Sequence, residues 1–266
     1  MRISNWRSLV VAAAIVCAAG CATQQQPKPA GATASAGRAW TDASLAQALA
    51  VTTRPQADRD ADANRKPAQL MTFLGVKPGM VALDAIAVGG YMTEALSIAV
   101  GPKGKVYSQN PQAVYQLQGG MYVKPINERH AGGRLPNVIR VDGDLPASSI
   151  IPPGSVDVAI TAQNVHDIYF INKDAAAQFL KGIYAVLKPG GAFLLTDHVG
   201  NDGANNAQLH RIPKHVALEL AKAAGFVVEA ESNALANPAD DHTKAVFDPS
   251  VRGKTDQFAV RLRKPK

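Results

Sequence analysis

Cysteine is nearly absent from this chain of 266 residues: there are two, Cys17 and Cys21, both close to the start. Everything beyond residue 21 therefore lacks a disulfide framework and a thiolate zinc site. A core of this size needs no such staples, so their absence does not argue against export. There is no internal repeat and no long run of Lys or Arg. The formal charge of +7 includes Arg2 and Arg7 and falls to +5 without them. Solvated faces explain that mild excess better than a nucleic-acid footprint does. The apolar run near the start, "LVVAAAIVCAA", is shorter than the roughly 20 residues a bilayer span requires.

What is present is a full hydrophobic complement, 47% of residues against 18% charged, which suits one large domain or two small ones. The start has its own character. Arg2 and Arg7, a short apolar core and small residues make residues 1–20 a secretory signal. "AAGC" resembles the lipobox of bacterial lipoproteins, with Ala18 standing where that family has Leu. The resemblance implies that Cys21 is a lipidated N-terminus holding the protein to a membrane. Because Ala22 is not acidic, enterobacterial sorting implies the outer membrane, facing the periplasm. Residues 21–39, with "ATQQQPKPAGATASAGRA", lack large apolar groups, so they read as a tether reaching roughly 20–25 Å.

The globular domain is expected over residues 40–266. "TDASLAQALA" starts with capping residues and reads as a short helix. Pro67 opens a second, with Leu70, Met71 and Leu74 on one face. Strands then alternate with helices. "MVALDAI", "KVYSQ", "NVIRV", "SVDVAITA", "AFLLTD", "FVVEAE" and "FAVRLR" are strands, and Tyr91–Val100, Lys173–Leu187 and Pro213–Ala224 are helices. A weaker helical stretch at 111–130 is interrupted by Gly119 and Gly120. The alternation predicts a doubly wound, Rossmann-like α/β fold with a mostly parallel seven-stranded sheet, and ligands outside the carboxyl ends of the strands.

Four pieces in this order resemble class I S-adenosylmethionine-dependent methyltransferases: "VALDAIAVGGY", "GDLP", "GSVDVAI" and "VLKPGGAFLLTDH". The match covers about residues 55–263, and "AAGF", "NPADD" and "RGKTDQF" resemble a subfamily of predicted bacterial methyltransferases. The resemblance implies a cofactor, S-adenosylmethionine, and places Asp84, Gly89, Gly90 and Tyr91 in its loop. Asn110 would bond the ribose where the family often has an acid, Asp144 and Leu145 would lie by the adenine, and Asn164 would follow the fourth strand. Ile86 and Val88 stand where family members often have glycine. Glycine at 88 is accordingly expected to tighten cofactor binding, by about several-fold to tenfold, at a cost of roughly 0.5–1 kcal/mol of stability.

The remaining chemistry is histidine. His166 and Asp167 follow the fourth strand, His198 the fifth, and His210 with Arg211 lies in the next connection. Converging over one pocket, they would serve as a general base on a substrate hydroxyl or amine; singly, each would cap a helix or satisfy a carbonyl. A metal set of His166, Asp167, Asp197 and His198 ranks below this, since adjacent residues rarely share an ion, and no metal is assigned. "PADDH" reads as a solvated turn, and Arg252 and Lys254 as surface. The expected function is methyl transfer to an unnamed acceptor. Behind it stand an exported, non-catalytic ligand-binding lipoprotein on a degenerate scaffold and, further back, a metal-assisted hydrolase.

Overall fold

The computed structural model describes residues 39–147 and 149–266. The signal segment, Cys21 and almost all of the tether lie outside them. Three helices precede the sheet: α1 (Asp42–Leu49), α2 (Gln56–Arg65) and α3 (Pro67–Leu74). Thr41 and Ser44 form a reciprocal capping box at the start of α1, satisfying amides that a helix leaves open. The wound part follows as β1 (Val81–Ala85), α4 (Tyr91–Val100), β2 (Lys105–Asn110), a 3-10 stretch at Gln112–Gly120, α5 (Val123–His130) and β3 (Val138–Asp142). Then come β4 (Val156–Ala162), α6 (Val165–Ile171), α7 (Lys173–Val186), β5 (Leu187–His198), α8 (Asn206–Leu209), α9 (Lys214–Ala223), β6 (Val227–Ser232) and β7 (Gln257–Arg263).

The sheet order is β3-β2-β1-β4-β5-β7-β6. Pairs from β3 through β5 are parallel, and β7 runs antiparallel between β5 and β6. Alternate strand residues feed two cores. Ala82, Val106, Val158, Ile160 and Leu194 pack with Leu45, Leu70, Met71 and Leu96 on one face. Leu83, Tyr107, Ala159, Phe193 and Leu195 pack with Leu180, Ile183, Val186 and Ala221 on the other. Both faces are covered, which is why these strands read as nearly continuous apolar runs.

The expected seven-stranded, doubly wound fold is the one observed, with three local differences. Helices α2, α6 and α8 form at residues to which the sequence pattern assigns no element. Strand β5 already begins at Leu187, so "KPGG" is an irregularity within it, between the pairs Val156↔Leu187 and Val158↔Ala192. "PADDH" is a turn exposed at Pro238, Ala239 and Asp241 but not at its centre: Asp240 is 4% exposed and holds Arg211, itself wholly buried, through two hydrogen bonds of 2.9 and 3.1 Å. That pair pins the connection 233–256 against the end of β5, where the Arg211 guanidinium also donates to the Val199 carbonyl.

Candidate functional site

The sheet order reverses between β1 and β4, so a crevice is expected beyond their carboxyl ends. On its β1 side the chain turns from Ala85 into α4. Ile86 and Val88 sit at φ 57° and 48°, and Gly90 at 76°. Left-handed backbone is natural for glycine but is a true outlier for β-branched residues, at about 1–2 kcal/mol each. Side chains from β2, from the start of α6 and from α5 hold it there. Gln109 accepts from the Ile86 amide at 3.1 Å, and Asn164 donates to the Ile86 carbonyl at 3.2 Å. Asn110 accepts from the Val88 amide at 2.8 Å and donates to the Val88 carbonyl at 3.3 Å. From α5, Arg129 donates to the Gly89 carbonyl at 2.8 Å.

Other residues expected around a cofactor face inward. Asp84 is 3% exposed and accepts from the Thr93 hydroxyl at 2.6 Å. Burial raises its pKa to about 6, against the lowering pull of Thr93 and the more distant Arg65 and Arg129. Tyr91 donates to Asp62 of α2 at 2.6 Å beneath the Arg65 guanidinium. Leu145 packs on Gly182 of α7, where a Cβ would come within 2.7 Å of it. Asp144 alone is exposed, and it makes no side-chain hydrogen bond among the described residues.

On the other side of the crevice the histidines converge. Asp197, wholly buried at the end of β5, accepts from the backbone amides of His166 and His198 at 3.0 and 2.8 Å. It also meets His166 Nδ1 at 2.6 Å. Across the ring, His166 Nε2 lies 3.2 Å from Asp167 Oδ1, which is 2.8 Å from His210 Nδ1. The His166 ring stands 5.8 Å from that of His198 and 5.7 Å from that of His210. His198 is tied by Nδ1 to Thr255 at 2.8 Å, and His210 stacks edge-on against Phe247 at 4.8 Å. Thus His166, Asp167, His198 and His210 do form one cluster.

Their protonation does not suit the expected base. Burial opposes charge on His166, but Asp197 and Asp167 outweigh it and lift the pKa to about 10. Burial takes His198 the other way, to about 4, with Asp197 resisting and the His166 charge assisting. Near neutrality His166 keeps its proton and His198 binds one too weakly, so neither is matched to removing a proton. From sequence, Asp197 enters only the metal set, and nothing singles out Thr255 or Phe247. Asp197 was within reach, as the acid preceding a histidine at a strand end. Thr255 and Phe247 arrive from a connection whose path the sequence does not disclose.

No family model and no curated protein matches this sequence. Its structure does resemble solved ones. A SAM-dependent methyltransferase from Aquifex aeolicus superposes with a TM-score of 0.54 at 19% identity, over 85% of this chain and 99% of that one. The [4+2]-cyclase SpnF superposes with a TM-score of 0.53, also at 19% identity, over 76% of this chain and 80% of that one. The chain therefore carries the Rossmann-like fold of methyltransferases. A cyclase stands on the same fold, so the fold alone does not choose the reaction.

Proposed function

We propose that this domain binds S-adenosylmethionine at the turn from β1 into α4 and transfers its methyl group to an acceptor held against the histidine cluster. The observation that carries this reading is the left-handed backbone at Ile86 and Val88. A plain strand-to-helix turn gains nothing by holding two β-branched residues there, and such strain persists where a ligand site requires the shape. The residues fit the cofactor at two of its ends. The loop through Gly89 and Gly90 would take the methionine portion, and exposed Asp144 would accept from the adenine amino group. At the ribose, Asn110 would have to give up part of its clasp on Val88. When bound, the cofactor supplies an electrophilic methyl on a sulfonium. The protein's share is then alignment of the acceptor, with the charged His166 donating a hydrogen bond to it rather than removing its proton.

Calorimetric titration of the purified protein with S-adenosylmethionine tests this. One saturable site per chain is expected, abolished in Gly90→Leu, whose Cβ would come to 2.8 Å from Arg129 Cγ at a left-handed φ. No binding by the wild type and none by Val88→Gly would overturn the reading, leaving a binding protein on a retired scaffold. The same proposal takes Cys21 as lipidated and the domain as exported to the periplasmic face of the outer membrane. Membrane recovery of the wild type, lost in Cys21→Ala, supports that placement; wild type in the cytosol with Met1 intact removes it.

A further inference from the structure

We infer that His166 Nε2, Asp167 Oδ1 and His210 Nδ1 form a binding site for a borderline divalent transition ion of the Zn²⁺ kind. An ion here would take the place of the His166 proton, and so of the hydrogen bond to the acceptor proposed above; its binding is measured without reference to methyl transfer. The three ligand atoms all lie within 4.8 Å of one another. Two of the separations are 3.2 Å and 2.8 Å, near the spacing of neighbouring ligands that each stand about 2.0–2.2 Å from one ion. Adjacent residues rarely serve one ion because helical neighbours diverge. Here both stand in the first turn of α6, and the His166 ring is anchored from behind, so its far nitrogen comes round to the Asp167 carboxylate.

That anchoring is the strongest sign of a built site. Ligating histidines commonly present their other ring nitrogen to a carboxylate, which fixes the tautomer and aims the lone pair. Asp197 does this for His166, at 2.6 Å, while its own position is fixed by two backbone amides and it has no exposure of its own. His210 is held at φ 53°, and Phe247 packs against its ring, so the second imidazole is oriented as well. Ligation requires His166 to release the proton on Nε2, and the ion then takes that proton's place between the ring and the Asp167 carboxylate. A donor set of two imidazole nitrogens and one carboxylate oxygen suits first-row transition ions better than Mg²⁺ or Ca²⁺. Asp167 and His210 are partly open to solvent at 53% and 36% side-chain exposure. Three protein ligands leave a coordination position on that side for an oxygen, from water or from a hydroxyl or carboxylate of a bound molecule.

The test is calorimetric titration with Zn²⁺ of metal-stripped protein carrying Cys17→Ser and Cys21→Ser, so that no thiolate competes. One equivalent per chain is expected. Asp167→Asn and His210→Ala, both at partly exposed positions that leave the core intact, should each weaken it at least about tenfold. Asp197→Asn, which keeps the shape but not the charge behind His166, should weaken it about 10–100-fold. His215→Ala, on an exposed histidine elsewhere, should change nothing, and circular dichroism of each variant checks that it is folded. Absence of stoichiometric Zn²⁺ binding would overturn the inference. So would binding that folded Asp167→Asn and His210→Ala leave unchanged.

Discussion

The two sides of the crevice are built on opposite terms. The β1 turn is held in a conformation its own residues disfavour, with left-handed Ile86 and Val88 beside a buried Asp84 whose carboxylate lacks a close cation. The histidine side is compensated throughout, each charge facing its opposite and each ring nitrogen named above meeting a partner. Strain sits where a ligand's shape would dictate backbone, and compensation where charge must be kept in place. Substitutions toward what local physics prefers should therefore stabilise the first region and damage the second.

The largest effect is expected at Asp197. Asp197→Ala leaves His166 buried without its main counter-charge and orphans two amides, so unfolding should become easier by about 3–5 kcal/mol in urea denaturation. A loss under about 1 kcal/mol would break the comparison from the charged side.

Next is Asp84→Asn, which keeps an acceptor for Thr93 and removes the charge. The folded pKa, about 6, lies above the unfolded value near 3.8, so the folded state favours the protonated acid. Ionisation then destabilises the fold progressively as pH rises from about 4 through 6. The variant should be more stable than wild type by about 2–3 kcal/mol above pH 7, with the gain vanishing below about pH 4. Melting curves at pH 4 and pH 8 check this, and an equal shift at both would exclude ionisation as the cause.

Smallest is Val88→Gly. The sequence suggested a loss of stability from added backbone freedom, but φ 48° reverses the sign, because relief of left-handed strain exceeds the entropy term. A gain of about 0.5–1 kcal/mol is expected, read as a higher melting temperature. A loss would mean that the packing of the Val88 side chain outweighs its backbone strain.

What the sequence disclosed follows from locality. All seven strands and the long helices were readable because period and punctuation are local signals; Pro67 at the first turn of α3 is an example. Helix α2 was not, since "QADRDADANR" has no apolar stripe. Apart from Ala61 against the core, its contacts are polar partners outside the helix: Asp62 with Arg54 and the Tyr91 hydroxyl, and Asp58 with Arg129. The meeting of His166, Asp167, His198 and His210 was legible from their places after consecutive strands. Their protonation was not, because it depends on which carboxylate lies behind which ring. Asp240 was misread for a related reason, its partner Arg211 being 29 residues away.

The reversed strand β7 has a bearing on how the chain comes together. It lies inside the sheet, between β5 and β6, so a nascent chain exposed only through Ser232 has a bare β5 edge and a β6 with no neighbour in the finished sheet. The 233–256 segment must be made, and Arg211 must wait for Asp240, before either gap can close. Unpaired edges invite pairing with other chains. Removal of Gln257–Arg263 should therefore leave a species that self-associates rather than one that is merely less stable.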